Sequence, residues 1–245
     1  MQERLITVPA TLDSKSVSEL AAAIDAAVQN DTVGAVVLQG SVGTFCQGLD
    51  LDEIVGLAAE QQALRQQSVA DYGRCLRALR LSDKVSLALV EGATRGGGIG
   101  LVAACDVVLA SDRATFGLPE VLFGLAPAMV LPFLLERVSI KTARLWALTG
   151  VTRTAKEAMA EGLVDVVVSS ANLATELRQW LKMLRRGQRR GIRTIKHLCA
   201  VMPAMDRAAA LELGQQTTLE ALNDTSVISA ITRFKTEGVL PWEPV

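Results

Sequence analysis

Arg95, Gly96, Gly97, Gly98, Ile99 and Gly100 form a glycine run directly after an apolar stretch, and a single carboxylate, Glu120, follows within Phe116, Gly117, Leu118, Pro119 and Glu120. Glycines at the end of a strand let backbone N–H groups come close to a ligand. A carbonyl held by such N–H groups is polarised, and a carboxylate beside it can move a proton on the neighbouring carbon. Proton transfer beside a thioester fits this arrangement, because its difficulty lies in stabilising an enolate oxygen. The stretch from Phe116 to Leu135 holds no Lys or Arg. A carboxylate in apolar surroundings has its charged form disfavoured and its pKa raised, which suits a general acid or base.

Other chemistries fit the glycine run less well. Gly96, Gly98 and Gly100 give G-x-G-x-G where a dinucleotide loop needs G-x-G-x-x-G, and no Gly-Lys-Ser/Thr follows as a phosphate loop requires. A run of glycines alone is also the mark of a turn or a close helix–strand contact. Glu120 alone reads as a surface or N-cap carboxylate; its apolar setting is what distinguishes it.

These groups must be positioned by an alternating strand and helix pattern. Leu5–Val8, Val33–Leu38, Val85–Val90, Val107–Ala110, Thr115–Phe116 and Val164–Val168 read as strands. Ser16–Gln29 reads as a helix, with Ser16 as N-cap and Glu19 three residues on. A second helix is expected from about Leu51 to Leu81, after a turn at Gly43–Gly48. Gly92–Gly98 reads as a loop and Ile99–Ala104 as the start of a helix. The order argues a mostly parallel α/β core. Thr142–Thr149 and Ala155–Glu161 continue the helices. Leu173–Leu184, Ile192–Leu198, Ala208–Leu222 and Val227–Thr236 then form an amphipathic helical tail, of the kind that covers a core or a neighbouring subunit.

The bulk numbers exclude several function classes. The chain has 245 residues, half of them hydrophobic, which suffices for a large core. A net charge of −1 gives no electrostatic footprint for nucleic acid or membrane. Cys46, Cys75, Cys105 and Cys199 are far apart and read as reduced thiols of a cytoplasmic protein. With one histidine, His197, they make no convincing metal site, so metal is expected to be none. MQERLITVP shows no apolar signal segment. The basic run from Lys182 to Arg193 reads as a solvated helix end and loop, with docking of an acidic or phosphate-bearing partner as its functional alternative.

Several stretches, in order, resemble the crotonase (enoyl-CoA hydratase/isomerase) superfamily: Phe45 to Leu51, Gly96 to Gly100, Ala104 to Asp106, Phe116 to Glu120, and Leu148 to Gly150 with Ala155 to Asp165. The resemblance spans almost the whole chain. It implies an α/β fold, a crotonase spiral of ββα units over 1–170, and a C-terminal helical trimerisation region over 171–245. It also implies a homotrimer, sometimes paired into a hexamer, with no cofactor beyond the carrier of the acyl group. Leu122 to Val138, Leu184 to Ile192 and Arg233 to Glu243 are more narrowly similar to the dehydratases of polyketide β-branching cassettes. Those enzymes act on a 3-hydroxy-3-methylglutaryl group carried on the phosphopantetheine of an acyl carrier protein, and the product is a 3-methylglutaconyl thioester.

By motif position the resemblance assigns the oxyanion-hole N–H groups to Leu49 and Gly97, and the catalytic carboxylate to Glu120. Asp50, Gly96 and Gly98 are supporting residues of the same turns. Hydratases of the family carry a second glutamate where this chain has Gly100, and Leu49 stands where alanine is usual. A single glutamate is also the pattern of the family's enoyl isomerases, so isomerase or hydratase action on CoA esters is an alternative, as is a non-catalytic assembly partner. Arg95 is the best candidate to bind the distal carboxylate of a glutaryl group, ahead of Arg74 and Arg77. Tyr72, the only tyrosine, reads as a packing residue on a helix near the pocket, and His197 as an exposed structural one.

Overall fold

The computed structural model describes residues 2–56 and 62–242. Five strands make the larger sheet: β1 (Gln2–Thr7), β2 (Val33–Gln39), β4 (Val85–Val90), β6 (Val107–Ser111) and β9 (Val166–Val168), in the order β1-β2-β4-β6-β9. Every neighbouring pair is parallel, in registers such as Val37 with Leu87 and Leu109 with Val166. The continuous apolar runs of β2, β4 and β6 follow from burial on both faces. Successive side chains point to opposite faces. Val37, Leu87 and Leu109 therefore meet one apolar layer, while Val36, Leu38, Ala88 and Val108 meet the other.

A smaller sheet is built from β3 (Thr44–Cys46), β5 (Ala93–Arg95), β7 (Thr115–Gly117) and β8 (Arg153–Thr154), parallel except for the antiparallel β7–β8 pair. The chain alternates between the sheets: β2 then β3, β4 then β5, β6 then β7. The helices α1 (Ser14–Gln29), α2 (Leu51–Gly56), α3 (Gln62–Leu81) and α4 (Gly97–Ala104) fall between successive turns. The expected spiral of strand pairs and helices is thus observed. Part of the long helix expected from Leu51 to Leu81, positions 57–61, lies outside the described residues.

Three local expectations are corrected. The N-cap of α1 is Asp13, not Ser16: its carboxylate accepts from the Ser16 N–H at 2.7 Å, and the Ser16 hydroxyl accepts from the Asp13 N–H at 3.1 Å. Aspartate three residues ahead of serine makes a reciprocal cap one turn earlier, which the Ser16–Glu19 spacing obscured. The stretch Gly92–Gly98 is not one loop, since β5 and the first turn of α4 lie inside it. Glycine's poor helix propensity hid that start. The turn expected at Gly43–Gly48 contains β3, which is too short to show a period.

After α5 (Leu131–Leu134), α6 (Ile140–Thr149) and α7 (Ala155–Ala160) come α8 (Leu173–Leu184), α9 (Arg189–Val201), α10 (Arg207–Leu222) and α11 (Thr225–Glu237). Leu173, Leu177 and Leu181 of α8 pack on the β2, β4 and β6 side chains that face away from the other layer. Helix α8 thus shares the apolar layer of the larger sheet. No residue of α10 or α11 is buried in the single chain. Among the described residues no helix is long and apolar enough to cross a membrane.

Candidate active site

The first turn of the site leaves β3. The Leu12 N–H donates to the Gly48 carbonyl at 2.8 Å, and the Asp50 N–H donates to the Leu12 carbonyl at 3.2 Å. This bridge uses the groups on either side of Leu49. In extended backbone the intervening N–H points the opposite way, so the Leu49 N–H faces away from Leu12. Asp50 fixes the turn. Its carboxylate accepts from the Glu53 N–H at 3.0 Å and from the Thr11 hydroxyl at 3.0 Å. The Glu53 N–H, then the Thr11 hydroxyl, hold the Asp50 carboxyl below the usual carboxylate range. Glu53 in turn accepts from the Ser14 N–H at 2.9 Å. These bonds tie Asp50 to the start of α2 and to the segment before α1.

The second turn leaves β5. Gly96 adopts φ 49°, and its N–H donates to the Gly117 carbonyl at 3.1 Å. Gly97 opens α4, where first-turn N–H groups have no partner within the helix and the helix dipole favours negative charge. The two turns are pressed together: a Cβ on Gly48 would lie 3.1 Å from the Gly97 nitrogen, and Gly48 has φ 83° besides. Gly98 packs more tightly still, a Cβ there lying 2.6 Å from the Cys46 carbonyl oxygen. Two N–H donors on rigid, interlocked turns are the requirement for stabilising an oxyanion.

Glu120 comes from a 3-10 helix, Pro119–Phe123, held by the fully buried Leu118 before it and ended by Gly124 in the left-handed region. Its Oε1 lies 3.3 Å from where a Cβ on Gly96 would stand. Its Oε2 is buried with no hydrogen-bond partner. Burial pushes the Glu120 carboxyl above the ordinary range, against a smaller opposing pull from its own N–H. A carboxylate whose charged form is not stabilised, placed against the N–H-bearing turn, is equipped to take a proton and return it.

The other candidates are distributed differently. Arg95 does not present a free guanidinium: Nη1 donates to the Thr94 and Thr115 carbonyls at 2.9 Å each, and Nη2 to the Thr115 hydroxyl at 3.1 Å. It braces β5 against β7. Arg74 pairs with Asp25 at 3.1 Å and Asp71 at 3.3 Å, and Arg77 is exposed on α3. Tyr72 is more than packing, since its hydroxyl donates to the Gly97 carbonyl at 2.6 Å. His197 is exposed, as expected. Cys46, Cys75 and Cys105 are buried and Cys199 is exposed. Among the described residues no group of three or more His, Cys, Asp or Glu could hold a metal.

The basic run is less solvated than expected. Arg185 pairs with Glu3, Arg190 with Asp224, and Arg189 with Asp31 at 3.0 Å and Asp83 at 2.7 Å. Lys196 was not singled out by its sequence context. It is buried, and Nζ donates to the Leu79 and Lys84 carbonyls and to Asp106 at 2.6 Å. Asp106 also accepts from the Ser86 N–H and hydroxyl. The Ala104 to Asp106 stretch thus anchors α9 to the core.

The family model described as enoyl-CoA hydratase/isomerase matches residues 7–244. The bacillaene synthase dehydratase PksH of Bacillus subtilis is 32% identical over 223 residues, which cover 88% of this chain and 82% of that protein. A probable enoyl-CoA hydratase, echA8 of Mycobacterium bovis, is 34% identical over 168 residues, 68% of this chain and 63% of that protein. Among solved structures, Pseudomonas aeruginosa AtuE superposes with a TM-score of 0.86 at 28% identity, covering 95% of this chain and 93% of that one.

Proposed function

This chain belongs to the enoyl-CoA hydratase/isomerase family, and we propose that it is the member that removes water from a 3-hydroxy-3-methylglutaryl (or closely homologous) thioester on an acyl carrier protein. Hydratase or dehydratase chemistry of the lyase type is the coarser activity, supported by the family match and by the two relatives named a dehydratase and a hydratase. The likeness to a polyketide synthase dehydratase over most of both chains supports the carrier-bound substrate. The observation that carries the mechanism is the buried, unpartnered Glu120 Oε2 beside the Gly96–Gly97 turn.

In this reading the thioester carbonyl oxygen is held between the Leu49 and Gly97 N–H groups. The ionised Glu120 takes a proton from C2, and the electron pair moves onto the carbonyl oxygen as an enolate. The enolate pair then returns to form the C2=C3 double bond while the C3–O bond breaks. Protonated Glu120 delivers its proton to the departing oxygen, and water leaves. One carboxylate serves both steps if the two protons move on the same face. No metal or redox group takes part; the acyl group rides on phosphopantetheine. The exposed Leu211, Leu219, Leu222, Ile231 and Phe234 of α10 and α11 support burial of the tail in a homotrimer or hexamer. A cytoplasmic location fits the reduced thiols.

The second reading is hydration or isomerisation of CoA esters, favoured by the single glutamate and by the echA8 likeness. Intact-protein mass spectrometry of 3-hydroxy-3-methylglutaryl carrier protein separates the two. Loss of one water with the native chain, and none with Glu120→Gln, supports the dehydratase reading. No loss from a carrier shown to be competent, with double-bond migration in an enoyl-CoA, overturns it.

A further inference from the structure

Gly100 lies on α4, one helical turn beyond Gly97, and is fully buried. A Cβ built there would stand 2.1 Å from the Tyr72 Oη, 3.2 Å from Val130 Cγ2 and 3.3 Å from Tyr72 Cζ. The Tyr72 hydroxyl therefore fills the volume that any side chain at position 100 must enter. The same hydroxyl donates to the Gly97 carbonyl at 2.6 Å, and the ring lies against Gly97, where a Cβ would be 3.5 Å from Cζ and Oη.

We propose that Tyr72 and Gly100 form a reciprocal pair that bars a carboxylate side chain from position 100 and makes Tyr72 the positioning residue of the oxyanion turn. This inference rests on the assignment of Gly97 to the oxyanion hole. Tyr72 reaches the reaction through Gly97. Its hydrogen bond fixes the Gly97–Gly98 peptide, so the N–H of Gly97 is held in one direction by both neighbours of that residue: Gly96 through its bond to Gly117, and the following peptide through Tyr72. Glycine has no side chain to limit its backbone, so a turn of consecutive glycines needs outside partners to hold one conformation. Tyr72 comes from α3, which brings a rigid ring to that turn.

The phenol also stays neutral. Burial pushes its pKa well above the ordinary tyrosine value, and the nearby Cys46, Cys75 and Glu120 act in the same direction. A neutral hydroxyl remains a donor across the working pH range and adds no second titrating group beside Glu120. The pair thus keeps a second carboxylate out of position 100 and places a fixed dipole there.

The test compares Tyr72→Phe, Gly100→Ala and the double variant. Tyr72→Phe keeps the ring and loses the hydrogen bond. Its kcat is expected to fall roughly tenfold with KM little changed, the size expected from one such bond. Isotope-edited infrared spectroscopy of a bound, unreactive acyl-CoA gives a readout that packing alone would not move: the thioester carbonyl stretch should shift toward its free value in Tyr72→Phe. Gly100→Ala should lower Tm, and adding Tyr72→Phe should restore part of that loss, because the clashing oxygen is gone. An unchanged kcat and carbonyl stretch in a folded Tyr72→Phe would overturn the positioning role. Strictly additive effects on Tm would overturn the reciprocal pair. If the native chain shows no water loss yet still polarises the bound carbonyl in a Tyr72-dependent way, the dehydratase reading fails and this inference stands.

Discussion

Glu120 lies against Gly96, its Oε1 3.3 Å from where a Cβ on that glycine would be, while its Oε2 is buried and unpartnered. The Oε2 of the carboxylate is held by position and not by a hydrogen bond. That combination favours proton transfer and disfavours the ionised state, and two predictions follow from its two sides.

The first concerns the pH dependence of turnover. In the proposed mechanism Glu120 must be ionised to take the C2 proton, and burial holds its pKa above the ordinary carboxylate range. The kcat/KM should therefore fall as pH drops through that raised value, giving an acidic limb displaced above about 4.3, the usual glutamate value. Glu120→Gln should lose roughly 10²–10⁴ in rate. A pH–rate profile whose limb lies at or below the ordinary value would contradict the assignment.

The second concerns stability. A raised folded pKa means that between the unfolded and folded values the native state binds the extra proton, so stability falls as pH rises through this window. At neutral pH the charged Glu120 is a net cost. Glu120→Gln should have a higher Tm than the native chain at neutral pH, and the difference should vanish below the unfolded-state pKa. Thermal melts across pH measure this. A less stable Glu120→Gln at neutral pH would show that the carboxylate has partners in solution.

Asp50 tests the other turn. Asp50→Ala removes the acceptor for the Glu53 N–H and the Thr11 hydroxyl, so the turn that carries the Leu49 N–H is left with only its backbone bridge to Leu12 to hold it. The kcat should fall more than KM rises, and Asp50→Asn, which retains a capping oxygen, should recover much of the loss. The Asp50 carboxyl is held low, chiefly by the Glu53 N–H. Its contribution to stability is therefore complete above the unfolded-state pKa and is lost as pH falls through the lower folded value. Equal kcat values for the alanine and native chains would remove Asp50 from the turn's function.

Lys196 anchors α9 by donating to two carbonyls and to Asp106. Lys196→Met leaves the partly exposed Asp106 without its cation. Breaking a buried pair costs about 3–5 kcal/mol, and exposure of Asp106 puts this one at about 3. Tm should fall by roughly 6–12 °C for a chain of this size, with kcat of the folded enzyme retained. Differential scanning calorimetry with activity at a permissive temperature checks both halves.

The elements were legible where burial repeats locally. β2, β4 and β6 are apolar runs because the larger sheet is covered on both faces, and the amphipathic helix α8 shows its packing stripe in the spacing of Leu173, Leu177 and Leu181. Two-residue β8 and three-residue β3 are too short to carry a period. They exist because earlier turns of the spiral present an edge to pair with. The glycine run and Glu120 were also readable, since glycine content and the lack of nearby cations are properties of the chain alone.

What only the tertiary structure decided is the choice of partner. Arg95 beside the glycine run looked available for a substrate carboxylate, yet it is bound to Thr94 and Thr115. Arg185, Arg189 and Arg190 looked like a free basic patch, yet acids from β1, the end of α1, the end of α3 and the start of α11 neutralise them. Tyr72 looked like filler, and Gly100 like a loss, until the fold brought the hydroxyl of one into the space left by the other. Periodicity, composition and local spacing are set by the chain's covalent order, so the sequence by itself determined the layered core and the two turns. A hydrogen bond or a steric fit depends on which distant surfaces meet when the spiral closes, and that is decided only in three dimensions.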